Sequence, residues 1–149
     1  MAQTFTRLLA HIIFSTKDRT PCIAIAFRPD LFAYLGGIVR RLEGKALAVN
    51  GTSDHIHLLA SLPPTRSVSD IVRDVKANSS HWIRREKGQR TFGWQAGYGA
   101  FSVSQSNVDD LMEYIARQEE HHRRVTFPQE FLAFLKKYAI DYDDRYIWQ

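Results

Sequence analysis

Two short apolar runs, Lys45 to Asn50 and Asp54 to Leu62, are separated by Gly51-Thr52-Ser53, and Pro63-Pro64 stops the second. Turn residues between two such runs predict neighbouring strands. What constrains the fold most is that this strand pair lies between two helical patterns. Upstream, Pro29-Asp30 opens a helix with Leu31, Leu35, Ile38, Val39 and Leu42 at its apolar positions, and Gly44 ends it. Downstream, Val68, Ile71, Val72, Val75, Trp82 and Ile83 recur at helical spacing from about Ser67 to Lys87, with Ser67 or Ser69 as cap. Gly36-Gly37 weakens the first helix and suggests close packing against a neighbour.

A strand-like run, Phe5 to Ser15, precedes these elements across the long connection Thr16 to Pro29. Another, Tyr98 to Ser104, follows them across the loop Gly88 to Gly97. The order strand, helix, strand, strand, helix, strand predicts an α+β, ferredoxin-like (split βαβ) core with an antiparallel sheet. Ser106 with Asp109 forms a capping-box start for a helix running to about Arg124. A last helix is expected over roughly Pro128 to Tyr138, before an acidic, aromatic tail. At 149 residues the chain reads as one domain: a core over about 4–104, a helix over 106–124, and a C-terminal helix and tail over 126–149.

Composition excludes several classes. Cys22 is the one cysteine, so neither a disulfide framework nor a four-cysteine zinc module is available, and a reducing cytoplasm is the expected compartment. Leu8 to Phe14 imitates a signal core, but His11 lies within it and Lys17, Asp18 and Arg19 follow, so export is not expected. No run is apolar enough to span a membrane. No GxxxxGK[ST] loop is present, so a nucleotide cofactor is not expected either.

The net charge of +4 lies in one window: between Arg66 and Arg90 seven Lys/Arg face three acids, and the rest of the chain sums to zero. Arg73, Lys76 and Arg84 fall largely off the apolar stripe of that helix. They form either a solvated face or a stripe that meets a phosphate backbone.

His55-Ile56-His57 is the strongest chemical signal. Residues i and i+2 of a strand share a face, so both imidazoles leave the sheet together on an open face while Ile56 enters the other side. That is a two-point metal mount, or else a pair of polar residues on a solvated face. Tyr114 and Gln118, four apart, share one helix face. A tyrosine can be a covalent nucleophile, and a glutamine oxygen can complete a site begun by two imidazoles. His121 and His122 are adjacent on the same helix, point about 100° apart, and read as surface or partner contacts.

Taken together, His55-Ile56-His57-Leu58-Leu59, the Trp94-Gln95-x-Gly97-Tyr98-Gly99-x-Phe101-Ser102-Val103-Ser104 run, and Tyr114-Ile115-x-x-Gln118 with His121-His122 resemble the single-tyrosine HUH transposases of small bacterial insertion sequences, the insertion-sequence-200-like type. The likeness extends to the opening Leu9 to Arg19 stretch. It implies a metal-dependent enzyme that cleaves and rejoins single-stranded DNA, with hairpin ends as recognition elements. It also implies a divalent metal, Mg or Mn, bound by His55, His57 and Gln118, with Tyr114 attacking to give a 5′-phosphotyrosine. It further implies a homodimer in which one subunit's tyrosine helix completes the other's histidine site. Lys17, Arg19, Arg73, Lys76 and Arg84 are the expected DNA contacts. The alternatives are a related HUH nicking enzyme for replication or plasmid transfer, a non-catalytic nucleic-acid-binding module, and a metal hydrolase.

Overall fold

The computed structural model describes residues 2–149. Four strands, β1 (Leu8–Ser15), β2 (Lys45–Gly51), β3 (His55–Leu62) and β4 (Gly99–Ser102), form one sheet in the order β2-β3-β1-β4. All neighbouring pairs are antiparallel, so β3 is inserted between the mutually parallel β1 and β2. This is the expected ferredoxin-like arrangement. Helices α1 (Arg28–Arg41) and α2 (Val68–Glu86) provide the two crossovers. The first and last strands of the chain are shorter than their sequence runs: Phe5 is 86% exposed and precedes β1, and β4 holds four residues.

Register decides what each sheet face carries, because residues directly opposite on antiparallel strands point the same way. Ala10, Ile12 and Phe14 pair with Ala60, Leu58 and Ile56, and all six bury against the apolar stripes of α1 and α2. Each large side chain buried there stabilises by roughly 1.5–3 kcal/mol. The opposite face carries Leu9, His11, Ile13 and Ser15 beside His55, His57 and Leu59.

That second face is covered, which corrects the expectation of an open one. Helix α3 (Val108–Ala116) buries Val108 and Ile115 on Leu9 and Leu59. Helix α5 (Phe127–Lys137) buries Phe127, Phe131 and Leu135 with Ile13 and Phe101. The apolar character of Leu9, Ile13 and Leu59 already required such a cover, since only part of this face is polar.

Local chemistry explains the helix ends. Ser67 accepts from the Asp70 amide at 3.1 Å and starts α2. Thr126 and Gln129 form a reciprocal capping box at α5. The expected cap at Ser106 is not made, because its hydroxyl meets that of Ser104 and a 3₁₀ turn, Gln105–Asn107, leads into α3. Nor is the helix continuous to Arg124: it breaks at Arg117, and a four-residue α4 (Gln118–His121) follows. No helix among the described residues is long and apolar enough to cross a membrane.

Two glycines give opposite stability outcomes. A Cβ on Gly99 would stand 2.8 Å from the buried Phe131 ring, so Gly99→Ala should cost about 1–3 kcal/mol in urea unfolding. A Cβ on Gly37 would meet nothing within 4 Å, so the close packing expected of Gly36-Gly37 is found only at Gly36, where a Cβ would stand 3.6 Å from that of Ala46. Gly37→Ala should therefore stabilise α1 by about 0.5–1 kcal/mol, and a loss of stability there would contradict the open surroundings of that position.

Candidate active site

Strand parity brings the rings of His55 and His57 onto one face, 5.2 Å apart between centroids, and both are fully buried. His55 Nδ1 donates to Asp54 Oδ1 at 2.8 Å, with Thr52 Oγ1 at 3.0 Å. A carboxylate on Nδ1 fixes the proton there and turns the Nε2 lone pair into the site, an orientation common to metal-binding histidines. Opposite that lone pair, at 3.2 Å, stands Gln118 Oε1. The amide is set by its other end, since Gln118 Nε2 donates to Glu130 Oε2 at 3.3 Å. His55 Nε2 and Gln118 Oε1, which also accepts from His122 Nε2 at 3.0 Å, are atoms that could serve as ligands to one cation.

The centre of the cluster is Glu130, which sequence reasoning missed. Its carboxylate is 3% exposed. Oε1 accepts from His57 Nε2 at 2.9 Å and His122 Nε2 at 3.2 Å, and Oε2 lies 3.2 Å from His121 Nε2 and accepts from the Tyr114 hydroxyl. Donor atoms of His55, His57, His122 and Glu130 all lie within 4.8 Å of one another. The sequence did contain a signal: Glu130 shares an α5 face with Phe127 and Phe134, where an acid must be buried. His11 was also left without a role. It is 1% exposed, and its Nε2 meets His57 Nδ1 at 2.8 Å, extending the network from Glu130 through His57 into β1.

The reading of His121 and His122 as surface or partner contacts is corrected. α4 ends at His121, so the 100° spacing of a continuous helix no longer applies, and each ring reaches a different oxygen of Glu130. The break at Arg117 likewise lets Tyr114 and Gln118 point inward from two separate helices. Gln118 is fully buried.

The tyrosine helix was expected to reach a partner's histidines. Within the single chain it lies over its own sheet, where Asn50 Nδ2 donates to Ile115 O at 2.8 Å. The short link after β4 does not prevent this, because the 3₁₀ turn reverses the chain.

The expected DNA contacts are scattered. Lys17 and Arg19 are exposed just beyond β1, with the Arg19 guanidinium 5.0 Å over the Trp148 ring. Arg73, Lys76 and Arg84 belong to α2, across the sheet from Tyr114, and each is engaged within the chain. Arg73 pairs with Asp70 and Asp74, and Arg84 donates to Phe92 O at 3.0 Å. Lys76 holds the carbonyls of Gln95, Ala96 and Gly97, and burial lowers its ammonium to about 8.

Electrostatics follow from one buried anion among imidazoles. Burial alone would raise the Glu130 carboxyl, but hydrogen bonds from His122 and His57 outweigh it and hold the group below the usual carboxylate range. Burial lowers His57 to about 4 against the pull of Glu130, and lowers His11 to about 3 with help from His57. Burial also acts to lower His122, but Glu130 outweighs it and raises that residue. Burial and the hydrogen bond to Glu130 push the Tyr114 phenol well above its ordinary value, so it stays protonated.

These shifts make the metal-free chain acid-sensitive. His11 and His57 are neutral when folded but take up protons near pH 6.5 when unfolded. Their contribution is complete above pH 6.5 and is lost as pH falls toward 4. His122 acts in the opposite sense: its contribution is complete below pH 6.5 and is lost as pH rises through its elevated folded value. In EDTA, the unfolding free energy should fall by about 1–3 kcal/mol per pH unit between pH 6.5 and 4, one to two protons' worth. A flat urea-unfolding profile over that range would show that the two histidines are not buried neutral.

Known proteins share both pattern and fold. The family described as "Transposase IS200 like" matches residues 4–118, which include His55, His57, Tyr114 and Gln118 but end before Glu130. The transposase for insertion sequence element IS200 of Salmonella typhimurium (strain LT2) is 29% identical over 133 residues, covering 83% of this chain and 84% of that one. The transposase for the same element in Salmonella typhi matches equally. A crystal structure of a candidate transposase from Deinococcus radiodurans R1 superposes with a TM-score of 0.63 at 21% identity, covering 79% of this chain and 95% of that one. A REP-associated tyrosine transposase bound to a REP hairpin does so with 0.62 at 15% identity, covering 84% and 74%. The family match spans the whole sheet and continues through the tyrosine and glutamine that face the strand histidines, and on that extent this chain belongs to the IS200-like transposases.

Proposed function

We propose that this transposase cleaves and rejoins single-stranded DNA, with Tyr114 as nucleophile and a divalent metal held by His55, His57 and Gln118. The observation that carries the reading is the convergence of the Tyr114 hydroxyl with the two strand histidines on one buried carboxylate, Glu130. A phenol held in one hydrogen-bonded cluster with imidazoles and a glutamine suits attack on a phosphate. It has no evident use in a binding module.

The donor set fits a metal. His55 and His57 are buried, His57 is neutral well below pH 7, and Gln118 turns its oxygen toward His55 and His122. The bound ion would act as a Lewis acid on the scissile phosphate. Glu130 and His122 extend the set beyond three neutral ligands, and the added carboxylate suits Mn or Mg better than imidazoles alone.

In the reaction, Tyr114 Oη forms a bond to phosphorus as the bond to the 3′-oxygen breaks. Glu130 Oε2, which already accepts the phenolic hydrogen bond, takes the proton and passes it on to the departing 3′-oxygen. The products are a 5′-phosphotyrosine and a free 3′-hydroxyl. The phosphodiester is exchanged and not hydrolysed, so reversal onto another strand's 3′-hydroxyl needs no nucleotide energy source. Recognition of hairpin ends belongs to the same reading. It draws support from the structural neighbour bound to a REP hairpin.

Tyr114→Phe should abolish any denaturation-resistant protein–DNA adduct with Mn while leaving metal affinity within about twofold. His55→Ala should lose both. An adduct formed by the phenylalanine variant would remove Tyr114 from the mechanism. Adduct-free hydrolysis by the native chain would favour a metal hydrolase.

The homodimer with sites shared in trans is separable from a complete site within one chain by mixing. Tyr114→Phe and His55→Ala subunits, combined as a verified heterodimer, regain cleavage if the tyrosine acts across subunits. They stay inactive if it acts on its own histidines, and the docking of α3 and α5 on the chain's own sheet supports this second outcome.

A further inference from the structure

The space beside Tyr114 is larger and more apolar than a phosphate requires. A cavity of about 580 Å³ opens between α3 and α5, with Tyr114, His11 and Glu130 at its inner end. Leu111, Phe134 and Tyr138 form its walls, and Asp110 and Lys137 stand at the exposed rim. A second cavity, about 470 Å³, shares Asp110, Tyr114 and His121, and there Arg117 is paired with Glu113 at 2.7 Å, with Glu120 and Arg124 beside them. Tyr114 thus stands between an aromatic pocket and a groove of mixed charge.

The aromatic wall is held in place before any ligand arrives. Phe134 and Tyr138 both stack on the buried Phe101, with centroids 5.4 Å and 4.8 Å away. The Tyr138 hydroxyl donates to Ser102 O at 3.4 Å. Anions gain nothing from such walls, whereas the π-face of a nucleobase does. Asp110 supplies an acceptor for an exocyclic amine, and Lys137 a cation for a phosphate. A volume of this order is ordinary for a small-molecule site.

We propose that the cavity between α3 and α5 is a subsite for one unstacked nucleobase flanking the phosphate that Tyr114 attacks. The inference rests on the single-strand cleavage reading and adds how the strand is gripped. Two of its walls come from α5 and the residue after it, beyond residues 4–118 of the family match, so the subsite is a property of this chain's C-terminal region.

The test uses the full chain and ligand-observed saturation-transfer NMR. The probes are dAMP, dCMP, dGMP and dTMP, with 2-deoxyribose 5-phosphate as the base-free control. Base protons should receive saturation, and the sugar phosphate alone should not. Ala133→Trp fills the cavity from an exposed position on α5 and should weaken nucleotide binding at least about fivefold, the lower edge of one base–aromatic stack.

Should that variant fail to fold by circular dichroism, Asp110→Ala on the exposed first turn of α3 serves in its place. It should weaken dAMP, dCMP and dGMP relative to dTMP, which lacks an exocyclic amine. Nucleotides binding no better than the sugar phosphate, or binding unchanged in a folded variant, would overturn the subsite. Adduct formation on a random-sequence single-strand pool with Mn reports separately on the cleavage reading. Nucleotide binding without any adduct would sink that reading and keep the pocket. Adducts from a chain whose cavity ignores nucleotides would do the reverse.

Discussion

A single buried carboxylate organises the second face of the sheet. Ionised and almost wholly buried, Glu130 must be compensated, and the compensation comes from His57, His122, Gln118 and Tyr114 together. Those groups come from β3, α3, α4 and the turn after it. The requirement to satisfy one anion therefore fixes how three helices lie over the sheet. Among the described residues, no buried side-chain nitrogen or oxygen is left without a partner. That is the condition under which such a polar cluster rigidifies a core instead of weakening it.

The same carboxylate sets the chemistry. It keeps the Tyr114 phenol protonated at rest while the histidines keep the carboxylate charged. A cation among these donors would offset the negative charge that now opposes a phenolate. On the proposed reading, metal binding and activation of the tyrosine are linked through Glu130. Beyond the cluster, the chain separates two tasks by sheet face. α1 and α2 supply most of the apolar core, and the C-terminal helices supply the reactive groups.

The sequence made the sheet, its connections and the residues of the strand legible, because periods of 2 and of 3.6 are local properties. His55, Ile56 and His57 could be assigned to faces from parity alone. Whether the histidine face was open or covered could not, since that depends on where α5 docks, a contact spanning about seventy residues. Glu130 was hidden for the same reason: read locally it is one polar position in a short amphipathic helix. The helix break at Arg117 had no local mark, neither glycine nor proline, and it alone changes what His121 and His122 can reach. The basic window was read correctly as a helix. Within it, Arg73, Lys76 and Arg84 also meet carboxylates and loop carbonyls of the same chain, which depends on tertiary neighbours and not on charge count.

The separation along the chain of His11, His55, Tyr114 and Glu130 has a consequence for the order of assembly. As the polypeptide emerges during synthesis, β1 must wait for β3 before the sheet centre exists, and the strand histidines then wait for α5. Domains fold as units once their long-range contacts are available. A nascent chain released early would therefore carry the tyrosine without the carboxylate that accepts its hydrogen bond, and its histidines would face water. Completion of the last helix is thus the step that turns a folded sheet into a closed reactive centre.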